Sequence, residues 1–168
     1  MRTGLVFLPV AATVTVGAHL GGQALGRFGW RPVGVGAFGL AAAGAGLLTR
    51  LSAAGNVWMD LVPGFALLSL GLGAAFVCAT TAAMHGLPHR DTGLASGLIG
   101  TAHELGAALG VAVLAAIAGA ALDGAGGVTG FRHAFLACAA IAVAAAAASA
   151  VLLPRDRPDP DQARAMAH

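Results

Sequence analysis

The chain has 168 residues, of which 58% are hydrophobic and 10% charged, with a formal net charge of +2 and a mean hydropathy of +0.83. A water-soluble domain carries roughly 25% charged residues, so the composition excludes an ordinary soluble globule and points to an all-α, polytopic transmembrane bundle. The nine basic residues are all arginines, scattered between apolar runs, which gives no basic face for nucleic acid.

Five apolar segments follow one another at about residues 4–25, 33–51, 61–84, 94–122 and 134–153. A helix needs about 20 residues to cross a ~30 Å hydrocarbon core. Four segments reach that length unaided, and the second does so by borrowing Thr49 to Leu51. The fourth is long enough to require tilt or protrusion. Transmembrane β-strands would alternate apolar and polar residues over about ten positions, and these unbroken runs do not. Short connections at Gly26–Pro32, Ser52–Asp60, His85–Gly93 and Asp123–His133 leave no room for an inserted soluble domain. The segment 154–168 is polar and proline-containing, which predicts a disordered cytoplasmic tail.

Orientation follows from arginine counting. With the N-terminus outside, Arg27, Arg31, Arg90, Arg155, Arg157 and Arg164 fall inside, while Arg2, Arg50 and Arg132 fall outside. That asymmetry predicts N-out and C-in. Two accounts of an external start remain open. Val16–Ala18 can serve as a signal-peptide cleavage site, or the chain is the C-terminal piece of a longer membrane protein, which is the preferred account.

Several features carry candidate chemistry. In the first segment and the turn after it, Gly22, Gly26 and Gly29 surround Arg27. Glycine allows helix ends to approach closely, and Arg27 or Arg31 can bond the free carbonyls of a helix terminus or a carboxylate on another helix. The bland alternative is an ordinary positive-inside loop. Gly17-x-x-x-Gly21, Gly93-x-x-x-Gly97 and Gly106-x-x-x-Gly110 offer smooth faces for helix contact. Asp91 or Thr92 is placed to cap the fourth helix. Thr80 and Thr81 are placed to bond back to their own helix. Pro9 and Pro63 are expected to kink or start helices, and Trp30 and Trp58 to lie in the aromatic belt. Cys78 and Cys138 sit in apolar runs without metal spacing, which suits a small hydrophobic role.

His103 and Glu104 lie inside the fourth apolar segment. Eleven residues from Gly93 place Glu104 roughly 16 Å along the helix, near the middle of the core. An ionised group facing lipid there costs ~2.5–3.5 kcal/mol. It must therefore face protein or a watery cavity, or be protonated. Three roles stay open for the pair: a proton or cation-substrate site, a polar cavity lining or interhelical hydrogen bond, and a shallow position near the surface. His19, in the first segment, is either a pH-sensitive group or a hydrogen-bond partner of a neighbouring helix. No catalytic constellation, phosphate-binding loop or metal-ligand cluster is present in the sequence, so no enzyme and no cofactor are expected.

The pattern Gly22-x-x-x-x-Arg27-x-Gly29-x-Arg31 resembles the loop signature of the major facilitator superfamily, with Gly26 in place of the signature's Asp and Trp30 in place of an Arg. It is closest to the degraded copy found in the second half of such transporters. A proline-containing first helix, the Gly71-Leu-Gly73-x-x-Phe76 helix and the Gly93-Leu-Ala-Ser-Gly97-Leu98 turn follow in order, and together they resemble the last five helices of the fourteen-helix drug:proton antiporters of EmrB/QacA type. The resemblance implies a partial major facilitator fold, a small amphipathic or drug-like substrate, coupling to a proton gradient, and either missing N-terminal helices or a partner membrane chain. It implies that this piece alone does not transport. Members often carry an Arg-Gln pair where this chain has His103-Glu104, so polarity is implied at the position and the carboxylate is a departure. A membrane scaffold or assembly subunit, or a small oligomeric channel, is the alternative function.

Overall fold

The computed structural model describes residues 2–50, 61–120 and 127–153, with side chains described from residue 10 onward apart from 120, 127 and 128. Trp58, Asp60, Asp123 and the tail from residue 154 therefore lie outside the described residues. Among those described, every regular element is helical: α1 (Arg2–Phe28), α2 (Trp30–Leu48), α3 (Val62–Met84), a short 3-10 turn (His89–Asp91), α4 (Thr92–Ala120) and α5 (Gly127–Leu152). Four of them, α2 to α5, combine the length and apolarity needed to cross a membrane. The first helix is also long, at 27 residues, and its residues 4–21 carry no Asp, Glu, Lys or Arg. The chain is an all-α polytopic bundle.

The helix ends differ from the sequence expectation in instructive ways. No loop separates the first two helices; Gly29 alone does. Its φ of 83° and ψ of 179° lie in a region that essentially only glycine occupies. Its N–H still donates to the Leu25 carbonyl at 3.0 Å, so α1 runs up to the break. Pro32 sits in the first turn of α2, where its missing N–H is not needed. That helix stops at Leu48 instead of continuing to Leu51. The Thr49 hydroxyl and N–H both turn back on the Gly46 carbonyl, at 2.7 and 3.2 Å, and tighten the last turn. Pro63 lies in the first turn of α3, as expected. The last helix begins at Gly127, seven residues before the expected Ala134, so Phe131, Arg132 and His133 are helical.

The core is built by backbone proximity more than by large side chains. In α3, Gly64, Gly71, Ala75 and Cys78 are buried and recur at a spacing of one or two helical turns. Towards α2, a Cβ on Gly71 would lie 2.6 Å from the Ala37 carbonyl oxygen, and one on Gly64 would lie 2.7 Å from Leu48 Cδ2. Gly73, two residues on and so rotated by about 200°, faces α1, where its Cβ would stand 2.9 Å from the Ala18 nitrogen. One helix therefore uses alternate glycines to admit two neighbours. α2 also receives α5, through Gly34, beside the Ser149 and Leu153 side chains. Phe65 and Phe135 meet edge to face at 6.0 Å between α3 and α5.

The fourth helix is different. None of its spanning stretch is buried, and its leucines at 94, 98, 105 and 109 are each at least 60% exposed.

Candidate functional site

The polar pair lies on this open helix. His103 and Glu104 are both exposed. The His103 ring meets Phe76 of α3 at 5.4 Å, edge to face at 70°, so it is turned towards the rest of the bundle. Glu104, rotated by about 100° from it, is not. Thr101, one turn before Glu104, donates its hydroxyl to the Gly97 carbonyl at 2.9 Å. Thr101 and Leu105 line an open, shallow groove that runs back along α4 to Gly93 and is walled by that helix alone. Glu104 stands beside that groove, next to Leu105 and one turn on from Thr101. The groove offers an apolar bed, and Glu104 a single carboxylate at its edge.

His19, on α1, is also exposed, and the Gln23 amide donates to its Nε2 at 2.9 Å. This bond lies within one helix, not across two. Among the described residues, no hydrogen bond or ion pair joins His19, His103 and Glu104, and no group of three His, Cys, Asp or Glu side chains is placed to hold a metal ion.

The Gly22–Arg31 stretch occupies one end of the bundle. Gly22 approaches Val77 of α3 at a Cβ distance of 3.9 Å. Arg27 is exposed in the last turn of α1, Gly29 makes the break, and Arg31 is half-buried at the start of α2. The centre of this end is Trp30, which is 1% exposed. It packs with Leu25, Val33 and Cys78, and its carbonyl accepts from Cys78 Sγ at 3.5 Å. The expected belt position for Trp30 is thus corrected: Gly29 swings the indole inward, where three helices cover it. Cys78 is buried and Cys138 half-buried, both as free thiols. His85, just past the end of α3, places its ring 5.3 Å from the indole.

The turn into α4 is also not as expected. The Thr92 hydroxyl donates backward to the His89 carbonyl and does not accept from the first turn of the helix. Asp91 pairs with Arg90 at 3.6 Å on the surface. Thr80 and Thr81 do bond back within α3, to Phe76 and Val77 carbonyls at 2.7–3.2 Å.

The six glycines expected to pack divide sharply. Gly17 and Gly21 are buried against Leu70 and Ala74 of α3, whereas Gly93, Gly97, Gly106 and Gly110 have nothing within 4 Å of a Cβ position. A packing role for those four requires a surface that the described residues do not supply. Sequence reasoning missed Phe76, Trp30 and His85 as contact groups, because each contact crosses between helices. Gln23 was missed as well, although its place one turn after His19 is a local signal.

The chain is similar to a puromycin resistance protein of Streptomyces alboniger, 39% identical over 116 residues, which is 67% of this chain and 23% of that protein. It is also similar to the multidrug resistance protein Stp of Mycobacterium tuberculosis, 32% identical over 122 residues, or 72% of this chain and 22% of that protein. The matched region thus spans less than a quarter of either relative's length. No family model matches the chain, and no solved structure matches it significantly.

Proposed function

We propose that the chain is the C-terminal helical portion of a drug efflux transporter of the major facilitator superfamily, of the fourteen-helix drug:proton antiporter type. The observation that carries this reading is the similarity to two proteins named for drug resistance, across two thirds or more of a chain built as a multi-pass helical bundle. The order of the Gly22–Arg31 motif, the glycine-rich α3 and the Gly93–Leu98 turn supports the narrower family assignment.

In such a protein, access to a central site alternates as one helical bundle rocks against another. The open face of α4 supports the view that further helices complete the site there. Its groove would take the apolar body of an amphipathic substrate, and Glu104 would bind a proton or the substrate's cationic group. A carboxylate held away from water in a closed site is more easily protonated, and a bound cation opposes that. Proton and cationic substrate then compete for one group. Catalysis and cofactors play no part, and the driving force is the proton gradient.

The orientation is N-out and C-in. Arg27, Arg31 and Arg90 lie at the end where α5 finishes beside Gly34, and Arg155, Arg157 and Arg164 follow in sequence. This clustering supports a cytoplasmic assignment for that end.

The test is drug extrusion from efflux-deficient cells. A longer protein carrying this region should extrude drug in a pH-dependent way, and Glu104→Gln should flatten that dependence. Unchanged pH dependence would remove the proton role of Glu104. This region expressed alone should not extrude drug, and proton-dependent extrusion by it would overturn the incompleteness reading. The uncovered α4 also favours a second reading, a membrane assembly subunit whose partner chain supplies helices. Recovery of such a chain by co-purification, with no in-frame helices encoded upstream, would favour it over the first.

A further inference from the structure

We propose that Trp30 and His85 form a proton-responsive latch that holds the α1–α2 turn against the end of α3. The indole is fixed from three sides. Gly29 sets its entry angle, Leu25 of α1 and Cys78 of α3 pack on it, and the Trp30 carbonyl accepts from Cys78 Sγ at 3.5 Å. His85 is anchored differently. It is the residue past α3, extended at φ −66° and ψ 129°, with its N–H donated to the Ala82 carbonyl at 3.2 Å. Its side chain is exposed just beyond the end of the spanning helix α3, while its ring lies 5.3 Å from a 1%-exposed indole.

A cation over the face of a tryptophan ring, within about 6 Å of its centroid, is attracted by the ring quadrupole; here the centroids are 5.3 Å apart and the rings are inclined at 56°, and imidazole is the side chain that changes charge between about pH 5 and 8. Among the described residues, the other charged or titratable groups at this end are Arg27 in the last turn of α1, Arg31 in the first turn of α2, the Cys78 thiol on α3, and His89, Arg90 and Asp91 before α4; Arg155, Asp156 and Arg157, which follow Leu153 in sequence, lie outside the described residues. The carboxylate of Asp91 is engaged by Arg90. Among the described residues His85 makes no ion pair, so the complement for its imidazolium is the Trp30 ring. The sign follows: the contact is strengthened when His85 is protonated and weakened as pH rises. The latch joins the α1–α2 turn to α3, and it does not depend on the transport reading or on Glu104.

The test uses the full chain in phosphatidylcholine nanodiscs with Trp58→Phe, leaving Trp30 as the only tryptophan. An imidazolium against an indole quenches its emission. Trp30 fluorescence should fall as the pH is lowered across the imidazole range, and acrylamide should quench it more at high pH than at low pH. His85→Gln should abolish both responses, as should His85→Phe, which keeps a ring in contact without a proton. His89→Gln should retain both. Circular dichroism establishes that each variant keeps its helices, and the pH profile with His85 intact decides the question even where a variant does not fold. A flat pH profile with His85 intact, an unchanged response in His85→Gln, or loss of the response in His89→Gln would each overturn the proposal.

Discussion

The α2–α3 seam and helix α4 are made of nearly the same residues and behave in opposite ways. Both are glycine- and alanine-rich, and both are apolar enough to span a membrane. Along the seam, a Cβ added to Gly44, Gly64 or Gly71 would meet the facing helix within 3 Å. Along α4, a Cβ added to Gly93, Gly97, Gly100, Gly106 or Gly110 would meet nothing within 4 Å. Small residues therefore permit close helix approach without compelling it. In lipid there is no hydrophobic force driving helices together, and a glycine face contributes only when a complementary surface allows dispersion contact along its length.

Substitutions can break this contrast in order of size. Trp30→Ala should be the most damaging, costing about 3–5 kcal/mol, because it empties a fully covered aromatic site at the junction of three helices. Loss of helical structure at lower detergent-denaturant concentration is the measurement. Gly71→Ala and Gly29→Ala should each cost about 1–3 kcal/mol, for different reasons. The first forces a methyl against the Ala37 carbonyl, and the second places an alanine at a φ of 83°. Unfolding titrations should rank both well below wild type, and a Gly71→Ala protein as stable as wild type would refute the seam. Gly97→Ala should go the other way in this chain. It adds a methyl to open space and removes a helix-interior glycine, a gain of roughly 0.5–1 kcal/mol. If the same substitution instead destabilises a longer protein carrying this region, the open face of α4 is a contact surface there.

The polar groups repeat the lesson on a smaller scale. The position of Glu104 near the middle of an apolar run is read directly from the sequence, and it falls near the middle of the 29-residue α4. The intrahelical bonds of Thr80 and Thr81 were legible, since they join residues three or four apart; the His19–Gln23 bond is equally local, but the partner of His19 was expected on a neighbouring helix. The His103–Phe76 and Trp30–His85 contacts were not, because they join residues 27 and 55 positions apart and depend on how helices are set side by side. Trp30 was misplaced for the same reason. An aromatic residue near a helix end favours the membrane interface by composition, but the glycine before it sends this one inward.

What the sequence by itself determined is the class of molecule and the local grammar: apolar runs long enough to span, a proline in the first turn of α3, threonines that bond within their own helix, and arginines kept to the ends. These depend on hydropathy and on neighbours within one turn. What only the tertiary structure decided is which of two equally spaced glycine pairs is in contact. Gly17-x-x-x-Gly21 is pressed against Leu70 and Ala74, and Gly93-x-x-x-Gly97 is open. The spacing is the same in both. The difference lies in the helix opposite, and no local pattern encodes whether one is there.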